Sequence, residues 1–439
     1  MKILITAAGS YGDIAPYTGV GAALTTAGHQ VALATHDSFA PLVRAAGLEF
    51  RRLPADPRTG RPGRTEPGPQ ATEPGPHAQA APPPGVASGG KRALLRTAAA
   101  FLQELGGGIA EAVTPGTDLL LLSATTAPLG RHLCEAHGIP ELELPLQPTA
   151  PTGDFAPVMT GARSLGRLGN RAAGRLSLRV VDRLYTDASR DLRAHIGLPP
   201  ATPGAVRRRA EASGRPVLHG FSEALVARPA DWRPGLDVVG NWWPWHDPDA
   251  QLPADVEDFI AAGPPPVFIG FGSMAAGEGE RLGALAVRAL RRAKLRGILQ
   301  SGWAGLTAEA VPAHADRSDI LTIGEVPHAL LFPRTAAVVH HAGAGTAAAG
   351  LRAGVPAVPV PVTADQPFWA ARLASVGAAT APVPFADLSG EAAADRLAEA
   401  LIEATTNPAL RTRAAAAARR MATEHGTQAV VHAVRTIAT

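Results

Sequence analysis

The chain contains a single cysteine, Cys134. No disulfide can form within it, and no thiolate cluster can hold a metal. The histidines do not fill that gap. None has the HExxH spacing of a zinc site, and His340 and His341 are neighbours on an apolar strand, where successive side chains face opposite ways. No metal site is expected. Lysine is also scarce: Lys2, Lys91 and Lys294 are the only ones, and arginine carries the positive charge. Charged residues make up 18% of the chain and the net charge is +3. The densest basic runs, Arg207-Arg208-Arg209 and Arg291-Arg292, are short. A nucleic-acid binder gathers its basic residues on one face, so no nucleic-acid partner is expected. No run of about 18 apolar residues occurs, which argues against a membrane-spanning helix. The opening MKILITAAGS passes from a brief apolar run directly into a Gly-rich turn, so it reads as a first core strand and not a leader peptide. A soluble, cytoplasmic protein is expected.

What is present is apolar residue in ordinary proportion, 46% over 439 residues, together with 47 glycines and 41 prolines. That length suggests two or three domains with a sizeable core. Short apolar runs alternate with helical stretches: KILITA, YTGVGAALTTAG, HQVALAT, DSFAPLVRAAG and LEFRRLP follow one another. This alternation predicts an α/β protein with a parallel, doubly wound sheet. Residues 54–92 interrupt it with a run dense in Pro and Gly, which is expected to be a mobile loop. The pattern resumes with DLLLLSA, a helix near 127–137 and PELELPLQP, then an arginine-rich helical region near 160–195. A Pro/Trp-rich passage follows, and a second α/β repeat begins at PVFIGFGSM. The division expected is 1–240, a linker at 241–255, and 256–439. Two such domains leave a cleft, and ligands of such sheets sit at the carboxyl ends of the strands.

Four strand ends carry candidate chemistry. In VVHHAGAGTAAAG, small residues let the backbone approach an anion, and the helix opening near Thr346 adds free amides and its dipole. His341 at the mouth can donate to a phosphate oxygen. On spacing alone, a glycine turn packed under a helix explains the segment equally well. One strand later, Asp365-Gln366 offers acceptors and donors to adjacent hydroxyls, although Asp is also a favoured helix cap. GFGSM places Ser273 at a third strand end, where a plain tight turn is an equal reading. In GSYGDIAP, Asp13 is either a helix cap or a general base in a partly desolvated pocket. No GxGxxG follows the first strand, which argues against a dinucleotide dehydrogenase.

Taken together, VVHHAGAGTAAAGLRAGVPAVPVPVTADQPFWAARL resembles the nucleotide-sugar signature of family 1 glycosyltransferases, in particular the bacterial and fungal sterol-glucosyltransferase-like branch. GSYGDIAPY, ADWRPGLDVVGNWW and VPHALLFPR are similar to further segments of that branch, in the same order, so the resemblance spans nearly the whole chain. It implies the glycosyltransferase B fold, two Rossmann-like domains facing across a cleft, with the final helix packing back on the N-terminal domain. It implies an inverting, metal-independent transfer of a hexose, glucose from UDP-glucose first, to a hydroxyl of an apolar acceptor such as a sterol or polyketide, with no cofactor. A dTDP-deoxysugar donor is the alternative within the class; a nucleotide-sugar epimerase and a non-catalytic binding protein are the alternatives outside it. Residue by residue, Asp13 matches the proposed base. Ser273, His341, Gly343, Gly345 and Thr346 match diphosphate-binding positions, and Asp365 and Gln366 match those holding donor-sugar hydroxyls. Trp303 and Val326 fall where nucleobase and ribose are met. Ala342 departs from the branch, which has Gly there, and Ala347 replaces Thr. The 54–92 loop lies where the acceptor wall is expected.

Overall fold

The computed structural model describes residues 1–54, 91–161, 163–272, 277–302, 305–307 and 318–438. The expected loop at 54–92 falls almost wholly outside them, as do Ser273 and Trp303.

The first lobe runs β1 (Lys2–Thr6), α1 (Tyr11–Thr26), β2 (Gln30–Thr35), α2 (Ala40–Ala45), β3 (Glu49–Arg52), α3 (Lys91–Ala112), β4 (Leu119–Leu122), α4 (Ala127–His137) and β5 (Glu141–Glu143). It continues through α5 (Gly166–Leu184), α6 (Thr186–His195), α7 (Pro203–Ala212), β6 (Val217–His219) and β7 (Leu236–Val238). The second runs α8 (Ala254–Ala261), β8 (Val267–Gly270), α9 (Gly279–Ala293), β9 (Gly297–Gln300), β10 (Ile320–Ile323), α10 (His328–Leu331), β11 (Ala337–His340), α11 (Ala344–Arg352) and β12 (Ala357–Pro359). Helices α12 (Gln366–Ser375), α13 (Ala393–Thr406), α14 (Pro408–Met421) and α15 (Gly426–Ala438) complete the chain.

Among the described residues each lobe has one sheet, and every strand pairing is parallel. The orders are β3-β2-β1-β4-β5-β6-β7 and β10-β9-β8-β11-β12. Both sheets reverse direction of winding beside their first strand, between β1 and β4 and between β8 and β11. Those are the points where a crevice opens at the carboxyl ends. The strands suit burial on both faces: β4 is four consecutive leucines, all fully buried. Helix α9 covers one face of the second sheet with Leu282, Leu285, Ala286, Ala289 and Leu290, while Arg288 and Arg292 face water.

The lobes are tied at one end of the cleft. Residues 239–253, between β7 and α8, form no helix or strand. They cross α1, where the Trp245 amide donates to Thr18 Oγ1 at 2.9 Å. A Cβ on Gly19 would collide with the carbonyl oxygen of Trp243, so only glycine admits this crossing. The Arg352 guanidinium at the end of α11 lies 4.4 Å from the Trp243 ring centroid. Helix α15 returns to the first lobe, burying Val430, Val431 and Val434 among Ile3, Tyr17 and Val20. Trp242 Nε1 donates to the Gly426 carbonyl at 3.1 Å, and Glu424 accepts from Ser222 Oγ at 2.7 Å and the Glu223 amide at 3.0 Å. An apolar cluster joins Phe155, Phe221 and Trp232 of the first lobe to Phe368, Trp369 and Met421 of the second.

Candidate active site

The first lobe contributes the turn from β1 into α1. The Gly9 backbone sits at φ +142°, and a Cβ there would lie 2.5 Å from Asp13 Oδ2, so glycine is required twice over. The Gly9 amide donates to His36 Nε2 at 3.0 Å, which anchors the turn from β2. Asp13 is the third residue of α1. Its Oδ2 accepts from both the amide and the hydroxyl of Ser10, at 2.8 Å each. The two readings of Asp13 are therefore not exclusive: one carboxylate oxygen braces the helix start and the other is left to the cleft. The residue is open to water, yet the surrounding protein desolvates it, and that burial raises its pKa against the lowering effect of the Ser10 bonds. Pro16 lies inside α1 and has no N–H for the Gly12 carbonyl, which frees that acceptor at the cleft end of the helix. Beside them Tyr11 is 52% exposed and faces the second lobe; burial, then the charge of Glu325 after β10, raises its pKa.

The second lobe contributes the turn from β11 into α11. His340 is fully buried, and its Nδ1 accepts from the Ala342 amide at 3.0 Å. Ala342 takes φ +60°. The position thus needs the left-handed region that favours glycine, and alanine occupies it at a cost of roughly 1–2 kcal/mol. The His341 ring is wedged between Gly272 and Gly343: a Cβ on Gly343 would lie 2.5 Å from its Nε2. Its buried Nδ1 has no partner among the described residues. Burial lowers its pKa to about 4, so near neutrality it is an uncharged ring with one N–H to give. Gly345 contrasts with Gly343. A Cβ on it would meet nothing, so protein packing gives no reason for glycine there; the space it opens is the cleft. Gly343 caps α11, and the amides of its first three residues, Ala344, Gly345 and Thr346, come before the first intrahelical bond, from the Ala347 amide to the Gly343 carbonyl. These amides and the helix dipole make a cradle for an anion.

The turn after β12 supplies the third wall. Asp365 precedes α12 but does not cap it through its side chain. Its Oδ2 instead accepts from Trp369 Nε1 at 2.8 Å. Burial raises its pKa, the Trp369 bond lowers it, and the Asp13 charge raises it further, so the two carboxylates feel one another across the cleft. Gln366 is 4% exposed, and its Oε1 accepts from the amides of Val362 and Thr363 at 2.8 and 3.1 Å. That oxygen staples the turn, which leaves the amide NH2 as the group to meet a ligand. Ala364, in the same turn, is a second non-glycine residue at positive φ, +58°. Val326 is half-buried against the interlobe apolar cluster, beside exposed Gly324 and Glu325.

Asp13 thus lies at the switch point of the first sheet, His341, Gly343, Gly345 and Thr346 at that of the second, and Asp365 and Gln366 beyond the neighbouring edge strand β12, with Asp365 near enough to feel the Asp13 charge. His36, Tyr11 and Trp369 belong with them and were not singled out by the motifs. For Trp369 the signal existed, since Asp365 and Trp369 are four apart in DQPFW and share a helix face. His36 and Tyr11 had none, because their partners lie on other elements.

Two parallel sheets joined in this way, with a carboxylate facing an anion cradle, define a glycosyltransferase of the B-type fold. The comparisons agree. Residues 307–437 match the model for the erythromycin biosynthesis protein CIII-like C-terminal domain, and residues 3–75 match the glycosyltransferase family 28 N-terminal domain. The chain is 35% identical over 438 residues to the O-mycaminosyltylonolide 6-deoxyallosyltransferase of Streptomyces fradiae, covering 98% of this chain and 95% of that one. It is 31% identical over 409 residues to a sterol 3-beta-glucosyltransferase of Arabidopsis thaliana, covering 89% of this chain but 59% of the longer plant protein. Among solved structures, the calicheamicin glycosyltransferase superposes with a TM-score of 0.67 at 17% identity, over 99% of this chain and 98% of that one. The glycosyltransferase VinC in complex with dTDP superposes with a TM-score of 0.64 at 19% identity, over 100% and 99%. The chain belongs to the family 1, UDP-glycosyltransferase-like, glycosyltransferases, the group that holds these antibiotic and sterol relatives.

Proposed function

We propose that this enzyme is an inverting, metal-independent glycosyltransferase that moves a hexose from a nucleoside diphosphate to a hydroxyl of an apolar natural product. The observation that supports this reading is that Asp13, at the switch point of the first sheet, is near enough to Asp365 of the second lobe to raise its pKa, while the second sheet's switch point carries the helix start at 344–346. Asp13 takes the proton of the acceptor hydroxyl. The acceptor oxygen bonds to the anomeric carbon from the face opposite the leaving group, and the bond from that carbon to the diphosphate breaks. The charge gathering on the diphosphate is met by the amides of Ala344, Gly345 and Thr346, by the dipole of α11 and by the His341 N–H. Those groups supply the role that a divalent cation has elsewhere. Asp365 and the Gln366 NH2 orient the sugar through its hydroxyls, and Ser273, Trp303 and Val326 complete the diphosphate and nucleoside contacts.

UDP-glucose is the first donor in this reading, in keeping with the relatives named as sterol glucosyltransferases. A dTDP-6-deoxyhexose is the second. It is favoured by the match to a 6-deoxyallosyltransferase, which spans 95% of that protein's length. A nucleotide-release screen of UDP-glucose and dTDP-deoxyhexoses against hydroxylated sterols and macrolide aglycones tests both. Release that requires acceptor, with one donor preferred at least about tenfold (roughly 1.4 kcal/mol), decides the donor. Release from neither donor with any acceptor sinks the proposal.

A further inference from the structure

Helix α5 is a long helix whose outward face carries exposed, uncovered apolar residues. Its sequence, GRLGNRAAGRLSLRVVDRL, repeats every four residues. Arginines stand at 167, 171, 175, 179 and 183, and each is followed by an apolar residue at 168, 172, 176, 180 and 184. The helix turns once in 3.6 residues, so each series advances about 40° per step and winds as a slanting row across the exposed surface, roughly 160° from first member to last. Leu168 is 81% exposed, Val180 60%, and Leu165, Leu176 and Leu184 are also exposed. Among the described residues, Arg167 pairs with Asp154 and Arg171 with Asp231, while Arg175, Arg179 and Arg183 have no acidic partner. The opposite side is well fixed. The Asn170 side-chain Nδ2 donates to the Gly153 carbonyl at 3.0 Å, and Gly174 lies against Pro151. That same segment carries Phe155, whose ring packs on Phe368 of α12 with centroids 5.3 Å apart. The exposed row is therefore held rigidly, one layer behind the cleft wall that bears Asp365.

We infer that α5 docks the enzyme on an anionic bilayer surface, lying in the plane of the headgroups. The leucine row would enter the acyl boundary while the guanidinium groups meet lipid phosphates. The nineteen-residue helix offers roughly 28 Å of such contact. Two rows of long, flexible side chains on a convex helix suit a fluid surface. A second copy of the chain suits them poorly. In a two-fold pairing the arginine rows would face one another, and the only acid on α5, Asp182, is already held by Arg207 at 2.8 Å. No described helix is long and apolar enough to cross a membrane, so the association is peripheral. It is independent of the donor and acceptor named above.

The test is co-sedimentation of the full chain with vesicles of phosphatidylcholine containing phosphatidylglycerol at about one part in three. Binding is expected to these vesicles, to weaken as salt rises, and to be lost with phosphatidylcholine alone. Leu168→Ser with Leu176→Ser and Val180→Ser should weaken it about tenfold or more. Arg175→Gln and Arg179→Gln should each weaken it roughly fivefold. All variants should keep circular dichroism and turnover of a water-soluble acceptor, because none touches the cleft. Failure of wild type to bind the anionic vesicles overturns the inference, as does binding that the variants leave unchanged. A concentration-dependent dimer that the leucine variants dissociate, or retention on an acidic peptide matrix without vesicle binding, would also overturn it by giving the face to a protein partner.

Discussion

The indole Nε1 of Trp369 donates a 2.8 Å hydrogen bond to Oδ2 of Asp365, one helical turn earlier. The ring itself is 1% exposed and packs against Phe221 of the other lobe, with centroids 6.0 Å apart. The carboxylate proposed to hold the donor sugar is thus aimed by a residue seated in the interlobe contact. Trp369→Phe keeps an aromatic ring but removes the donor. A hydrogen bond to a charged group contributes roughly 1.5–3 kcal/mol. The donor KM should rise about tenfold, with a smaller change in kcat, in initial-rate kinetics. An unchanged donor KM would mean that Asp365 needs no such support.

Asp13→Asn removes the proton acceptor while retaining an oxygen for the Ser10 amide. Transfer should fall by about 10²–10⁴-fold, the usual range for a lost general base. Donor affinity, measured by calorimetry, should be nearly unchanged. Stability should move the other way. The native pKa of Asp13 is raised by desolvation, so its ionised form costs stability once the pH exceeds the native value. The variant should therefore melt higher than wild type at neutral pH and lose that advantage as the pH falls towards the ordinary aspartate range.

Ala342→Gly relieves a left-handed alanine. Removing the Cβ penalty of roughly 1–2 kcal/mol, less the extra unfolded-state entropy of glycine, should leave a net gain of about 0.5–1 kcal/mol in denaturant unfolding. Ala349→Gly, in the body of α11, should destabilise by about 1 kcal/mol. A loss from both would place the strain somewhere other than Ala342.

Acid should unfold the protein early. Desolvation leads the causes that lower His132, His219, His328 and His341 to about 4, and His340 to about 3. In the unfolded chain each titrates near 6.5. Between that value and about 4 the unfolded state binds more protons, so stability present above pH 6.5 is lost as pH falls. Each histidine contributes up to roughly 1.4 kcal/mol per pH unit. Melting temperatures taken from pH 7 to 4.5 should fall steeply, and His340→Gln should flatten the curve. A flat profile in wild type would contradict the burial of these rings.

Much of this architecture was legible because parallel strands are apolar runs punctuated by helices, and LLLL or AVVH can hardly be anything else. The apolar run PVLHGF reads as a strand as well, whereas LDV is harder, since three residues behind a proline and a glycine, with an aspartate at the centre, resemble coil. Helix α3 was missed, because it opens directly behind the Pro/Gly run. At the site, the residue types were readable but their use was not. Gln366 spends its oxygen on its own turn, a bond that depends on loop geometry. The cost at Ala342 depends on a backbone angle that no composition reveals. The sequence around Asp13 fits both a helix cap and a base, and the side chain has an oxygen for each.

The return of α15 has a consequence for recombining such enzymes. Val430, Val431 and Val434 belong to the first lobe's core although they lie at the far end of the chain, and the crossing at Gly19 ties residues through Trp245 to α1. The first lobe's core is thus discontinuous in sequence, drawing on α15 at Gly426–Ala438 as well as on β1 and α1. A chimera that exchanges lobes at a single junction would pair one parent's sheet with the other parent's closing helix. Two junctions, one after residue 246 and one before Gly426, keep each core with its own parent.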